Sequence, residues 1–116
     1  MGSLLRSFRY AAQGVAYCFR TQRNLRVHAV AAVLAVALGA RLGLSGAELA
    51  VLALTIAAVL VAEMFNTAVE ALVDLVTPDY HPLAKVAKDV AAGGVLVTAI
   101  VSLVVAYILF VPRLFG

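Results

Sequence analysis

The chain has 116 residues, 65% hydrophobic and only 13% charged, with a net charge of +3 and a mean hydropathy of +1.06. Soluble domains carry about 25% charged residues, so the composition excludes a soluble globular protein and implies one compact membrane-embedded unit over residues 1–116. The lone Cys18 excludes an internal disulfide and a cysteine-based zinc site, and basic residues that flank apolar runs point to anionic lipid headgroups, not nucleic acid.

Residues 3–24 read as an amphipathic helix lying in the interface. Leu4, Phe8, Ala11, Ala12, Val15 and Phe19 recur at helical spacing, and Arg6, Arg9, Gln13 and Arg20 fall elsewhere. The segment has arginines and no acids, as suits a helix on an anionic leaflet. No short apolar stretch with a small-residue cleavage site precedes the first long run near Val27, so the start does not read as a cleaved signal peptide.

The first span is expected over residues 27–44, with Arg41 near enough to its end to snorkel. Gly43-Leu44-Ser45-Gly46 is a tight turn. The second span is expected over 47–76. Thirty helical residues reach about 45 Å, beyond a hydrocarbon core of about 30 Å, so its later half must emerge into headgroups or water. Thr77-Pro78-Asp79-Tyr80-His81-Pro82 breaks it. The third span is expected over 86–112, uncharged from Val90 to Val111 and ended by Pro112 and Arg113. Gly93-Gly94 is expected to allow close helix packing there. Arg6, Arg9, Arg20, Arg23 and Arg26 precede the first span and Lys85 and Lys88 separate the second from the third, so the positive-inside rule places the N-terminus and the 77–88 loop in the cytoplasm.

The end of the second span carries the chemistry. Residues 49–62 are uncharged, and then come Glu63, Asn66, Glu70 and Asp74. At roughly 100° per residue these four fall within about 80° of one another on one face of the helix. Acids at a bilayer boundary are costly and mark function by default. They stay ionised together only beside a cation, a lysine or a proton. Two further polar clusters lie at the same depth: Gln22 to His28 at the mouth of the first span, and Lys85, Lys88 and Asp89 at the mouth of the third. Carboxylates, lysines, an amide and an imidazole at such a boundary can hold a hard divalent cation with phosphate oxygens. One remaining acid can act as general base toward a hydroxyl arriving from the lipid. No Walker A or Gly-rich kinase loop is present. Alone, Arg23, Arg26 and Lys85 read as headgroup anchors and His28 as a structural residue.

The pattern Glu63-x-x-Asn66-Thr67-Ala68-x-Glu70-x-x-x-Asp74, followed by Ala84-Lys85-x-Ala87-Lys88-Asp89-x-Ala91-Ala92, resembles the signature of the prokaryotic diacylglycerol kinase family, and Asn24-x-x-x-His28 resembles its undecaprenol kinase branch. The resemblance implies an all-α integral membrane fold, with a surface helix and three transmembrane helices, assembled as a homotrimer with composite sites. It implies Mg²⁺, ATP as co-substrate and a bacterial inner (plasma) membrane location with the site facing the cytoplasm. The acceptor is expected to be a lipid alcohol, undecaprenol or alternatively diacylglycerol. By the same resemblance Glu63 is the base and Glu70 a metal ligand. Asn66, Lys88 and Asp89 orient phosphates, and Asp74, with Arg9 and Gln13 from the surface helix, faces the nucleotide. Gln22 stands where the family usually has a second metal-binding Glu, which leaves a weaker metal site, compensation by another acid, or a non-catalytic homologue open. A small proton-coupled transporter, from another functional class, would need four spans and an acid near mid-membrane; three spans are counted here, with the acids at one end.

Overall fold

The computed structural model describes residues 2–116 and contains four helices: α1 (Gly2–Thr21), α2 (Arg23–Arg41), α3 (Gly46–Val76) and α4 (Pro82–Phe115). The fold is all-α and integral to the membrane, with α2, α3 and α4 each long and apolar enough to cross it. Most of the apolar surface faces outward. Buried residues make up only 11%, 17% and 11% of the most apolar stretches of these three helices, an outside that suits hydrocarbon or further protein and not water.

The helix ends follow local chemistry. α1 ends three residues earlier than expected because the backbone at Gln22 is extended (φ −111°, ψ 106°), and α2 begins directly at Arg23. Arg26 is not a free headgroup anchor. Its guanidinium donates to the carbonyls of Phe19 (2.7 Å) and Arg20 (3.0 Å), capping the end of α1. Ser45 and Glu48 form a reciprocal capping box at the start of α3. Gly43, at φ +76°, takes the left-handed turn between α2 and α3. His81 Nδ1 accepts from the Leu83 amide (3.1 Å) and Pro82 occupies the first turn of α4.

Pro112 does not end the third span. It lies inside α4, which runs on to Phe115. Proline removes the hydrogen bond its own amide would have donated and crowds the carbonyl four residues back, yet it blocks no later amide, and the last turn closes through the Gly116 amide on the Pro112 carbonyl (2.9 Å). An inter-helix clasp also holds this end: Arg113 donates both Nη1 and Nη2 to the Glu48 carboxylate at 2.8 Å.

α3 and α4 form the principal pair, α2 packs on α3, and α1 lies against α2 and α3. The core sits at the turn end of the bundle, where Leu44, Leu52, Leu109 and Phe110 are buried together. A side chain at Gly39 would bring its Cβ to 2.7 Å from Leu44 Cδ1, so the 43–46 turn folds tightly back on α2. By contrast, a Cβ at Gly93 or Gly94 meets nothing within 4 Å. The close packing expected there is not made within the chain.

Candidate functional site at the polar end of the helices

At the opposite end from this core, the polar face of α3 runs from dry to wet. Glu63 is 4% exposed and Thr67 5%; Asn66 and Glu70 are half-buried, and Asp74 is exposed. Thr67 spends its hydroxyl on the Glu63 carbonyl (2.9 Å), so it caps no side chain. His28 Nε2 stands 3.4 Å from Glu63 Oε1 but is not aligned as a donor, and Oε1 is buried with no hydrogen-bond partner among the described residues. Asn66 Nδ2 donates to Glu70 Oε1 at 3.3 Å, while Asn66 Oδ1 is likewise buried and unpartnered. Two orphaned oxygens one turn apart are a standing cost. They are where a hydroxyl, an ammonium or a cation would be welcome.

The lysines take definite partners. Lys88 Nζ reaches across from α4 to Asp74 Oδ1 at 2.7 Å, and Lys85 Nζ pairs with Asp89 Oδ2 one turn on at 2.6 Å. Lys85 is therefore not a free headgroup anchor, and Lys88 is joined to the outer end of the acidic stripe, not to Glu63. Between them lies a cavity of about 390 Å³ whose walls include Asp74, Thr77, His81, Lys85, Lys88 and Asp89. Gln22 is half-buried at the α1–α2 break; its amide reaches only Thr21 Oγ1 (3.4 Å), and no hydrogen bond joins it to Glu70 among the described residues. Arg9 and Gln13 are exposed on α1 without side-chain partners among the described residues.

Among the described residues no three acids, histidines or cysteines converge into a metal cage. The Glu70 carboxylate offers hard oxygen ligands, and the Asn66 amide beside it turns its nitrogen, not its unpartnered oxygen, toward Glu70. Such a partial set fits Mg²⁺, which keeps waters and substrate phosphates beside one or two carboxylates, and does not fit an ion needing a closed protein site.

Fold and site together define a small helical membrane protein with an acidic, lysine-faced centre at one bilayer boundary. The family model for prokaryotic diacylglycerol kinase matches residues 9–110, and the chain belongs to that family. It is 49% identical over 113 residues to a diacylglycerol kinase of Synechocystis sp., an alignment covering 97% of the chain and 65% of that protein's length. It is 40% identical over 114 residues to the undecaprenol kinase of Bacillus subtilis, covering 98% of the chain and 93% of the relative. The Escherichia coli diacylglycerol kinase is 28% identical over 101 residues, 87% of this chain and 83% of its own length. These relatives are lipid kinases.

The sequence motifs located Glu63, Asn66, Glu70, Asp74, Lys88 and Asp89 on facing helix ends but did not single out three structural contributors. The Ser45-x-x-Glu48 spacing was a readable capping signal. The Glu48–Arg113 clasp and the Arg26 cap depend on how helices are placed, which spacing alone does not encode.

Proposed function

We propose that the chain transfers the γ-phosphoryl group of ATP to the hydroxyl of a membrane lipid alcohol, undecaprenol first among them. The observation that carries this reading is the pair of buried, unpartnered oxygens of Glu63 and Asn66, one turn from Glu70 and on the same face as the Asp74–Lys88 ion pair. Glu63 takes the hydroxyl proton as the acceptor oxygen attacks. Its burial between apolar turns keeps bulk water from competing with the alcohol. Asn66 and Lys88 hold phosphate oxygens, Lys88 opening from Asp74 when a more highly charged anion arrives. Asp89 orients Lys85, and Asp74 lines the nucleotide's approach together with Arg9 and Gln13 on α1. Glu70 would hold Mg²⁺, with Gln22 offering at most a neutral carbonyl from the α1–α2 break; the ion would supply charge neutralisation at the transferring phosphoryl group. The rest of the task is positioning, which a boundary site performs by meeting lipid on one side and nucleotide on the other.

The reading extends to a homotrimer in a bacterial plasma membrane, with the site on the cytoplasmic side. Outward-facing small residues and the sparse interior of a single chain support assembly, and the distribution of arginines and lysines supports the orientation. Diacylglycerol is the second acceptor, favoured by the name of the 49%-identical relative.

The test is direct. Purified protein in lipid nanodiscs, given Mg·ATP and either undecaprenol or diacylglycerol, should yield the corresponding lipid phosphate, faster with undecaprenol. Absence of product from both acceptors would end the kinase reading; a faster rate with diacylglycerol would reverse the order of substrates.

A further inference from the structure

A buried base has to be emptied after it is filled. Glu63 is 4% exposed, so bulk water has little access to its carboxyl, and a base that keeps its proton serves one turnover only. The groups around it narrow the way out. Thr67 Oγ1 is engaged by the Glu63 carbonyl, and Asn66 is an amide that donates to Glu70 and cannot carry a proton away. On α4, Lys88 is joined to Asp74 and Lys85 to Asp89. On α2, the Arg26 guanidinium is turned to the carbonyls of Phe19 and Arg20. On α1, the buried titratable group is the Cys18 thiol, and no hydrogen bond or ion pair joins an α1 side chain to Glu63 among the described residues. His28 is the one basic side chain in ion-pair range of Glu63 among the described residues, with Nε2 3.4 Å from Oε1.

His28 also faces both ways. Its side chain is 31% exposed, against 5% for that of Glu63. Asn24 lies four residues earlier on the same face of α2 and is exposed. Helical side chains lean toward the N-terminus of their helix, so His28 leans toward Asn24 and the polar end of α2. The contact with Glu63 has the form of a gap awaiting a proton. With Nε2 unprotonated, two acceptors face each other and Oε1 stays unpartnered, as observed. A proton placed on Oε1 turns that contact into a hydrogen bond. The separation need close by only a few tenths of an ångström to enter the transfer range of about 2.6–3.2 Å.

We infer that His28 relays the transferred proton from Glu63 to water and so resets the base between turnovers. The inference rests on the lipid-alcohol kinase reading and deepens it. In the transfer the acceptor O–H bond breaks and its proton goes to Glu63. The acceptor oxygen bonds to the γ-phosphorus as the bond to the bridging oxygen breaks and ADP leaves. The Glu63 carboxyl then gives its proton to His28 Nε2, and the imidazolium releases one from Nδ1 to water. Glu63 is again a carboxylate and His28 again neutral, and the sum is lipid phosphate, ADP and one proton in solution. His28 touches no reacting atom; it acts through Glu63.

The experiment is rapid-quench phosphorylation of the preferred acceptor, undecaprenol or diacylglycerol, by the full chain in lipid nanodiscs with Mg·ATP. Wild type is compared with His28→Gln and His28→Ala, each checked for helicity and nucleotide binding. His28→Gln keeps most of the side chain's volume and carries the comparison if the smaller residue unfolds the chain. In both variants the first turnover should run at the wild-type rate, because Glu63 enters it as the carboxylate, and the steady state should then slow about 10²-fold. Imidazole in the buffer should restore the slow phase of His28→Ala and leave the burst unchanged. The more basic 4-methylimidazole should restore it further, and 1,2,4-triazole, of similar size and far weaker basicity, should not restore it. A burst and a steady state that fall together, with no response to imidazole, would make His28 a structural neighbour and overturn the relay. Steady-state turnover within a few-fold of wild type in both variants would overturn it as well. Either result beside an active wild type removes the relay alone, whereas a wild-type chain that phosphorylates neither acceptor ends the kinase reading and the relay with it.

Discussion

Glu63 combines two properties that rarely coexist without use: near-complete burial and an oxygen that no donor satisfies. A purely structural carboxylate at this depth would be neutralised by a partner, and His28 is close but misaligned. Replacing the acid with its amide removes the proposed base while keeping the shape. Glu63→Gln is expected to lower phosphoryl transfer by about 10²–10⁴-fold, the usual range for a general base, with nucleotide binding measured by calorimetry little changed. Turnover within a few-fold of wild type would remove the base role from Glu63. Gln22 calls for the opposite change. Its amide sits at the α1–α2 break, hydrogen-bonded to Thr21 and not to Glu70, so Gln22→Glu tests whether a charge at that position joins the proposed metal site. The Mg²⁺ concentration for half-maximal rate should then fall severalfold. An unaltered Mg²⁺ dependence would place residue 22 outside metal binding altogether.

The helices respond to signals of different reach. α3 and α4 were readable because their apolar runs are long and their stops, the 77–82 segment and the 43–46 turn, are rich in Pro, Gly, Asp, Ser and Thr. The acidic stripe was readable because helical periodicity alone aligns positions 63, 66, 70 and 74. Partner choice was not. Lys88 meets Asp74, and His28 meets Glu63, only once the rotation of each helix about its axis is known, and apolar runs facing lipid on most sides constrain that rotation weakly. The α1–α2 junction is similar: periodicity continues through Gln22, yet the backbone there is extended and Arg26 caps the preceding helix. Arg26→Ala leaves the last carbonyls of α1 to water and should cost about 1 kcal/mol of local docking energy. Limited proteolysis in nanodiscs should then cut faster near residues 21–23, with the nucleotide KM raised if α1 brings Arg9 and Gln13 to the site. Cleavage at the wild-type rate would show that the cap does not hold α1 in place.

For the molecule as a whole, little is buried within one chain, and the proposed assembly would cover part of what is left open. The polar stripe is half-open, the apolar helices are mostly uncovered, and Gly93 and Gly94 present backbone to empty space. Small residues in a membrane helix let another helix approach closely, and here no helix of the same chain uses the opportunity. Gly94 also lies along an apolar groove with Ala62, Phe65, Val69 and Ala91, on a side of the α3–α4 pair that α2 does not line. A leucine at position 94 therefore separates two sources of instability. Within the chain its Cβ has room, so secondary structure and the thermal stability of an isolated protomer should be kept. If neighbouring copies pack here, Gly94→Leu should convert the assembly to monomer in detergent, read by light scattering with size-exclusion chromatography, and reduce lipid phosphorylation in parallel. An unchanged oligomeric mass would move the contact between copies to another face, and a monomeric variant of full activity would show that a single chain carries a complete site.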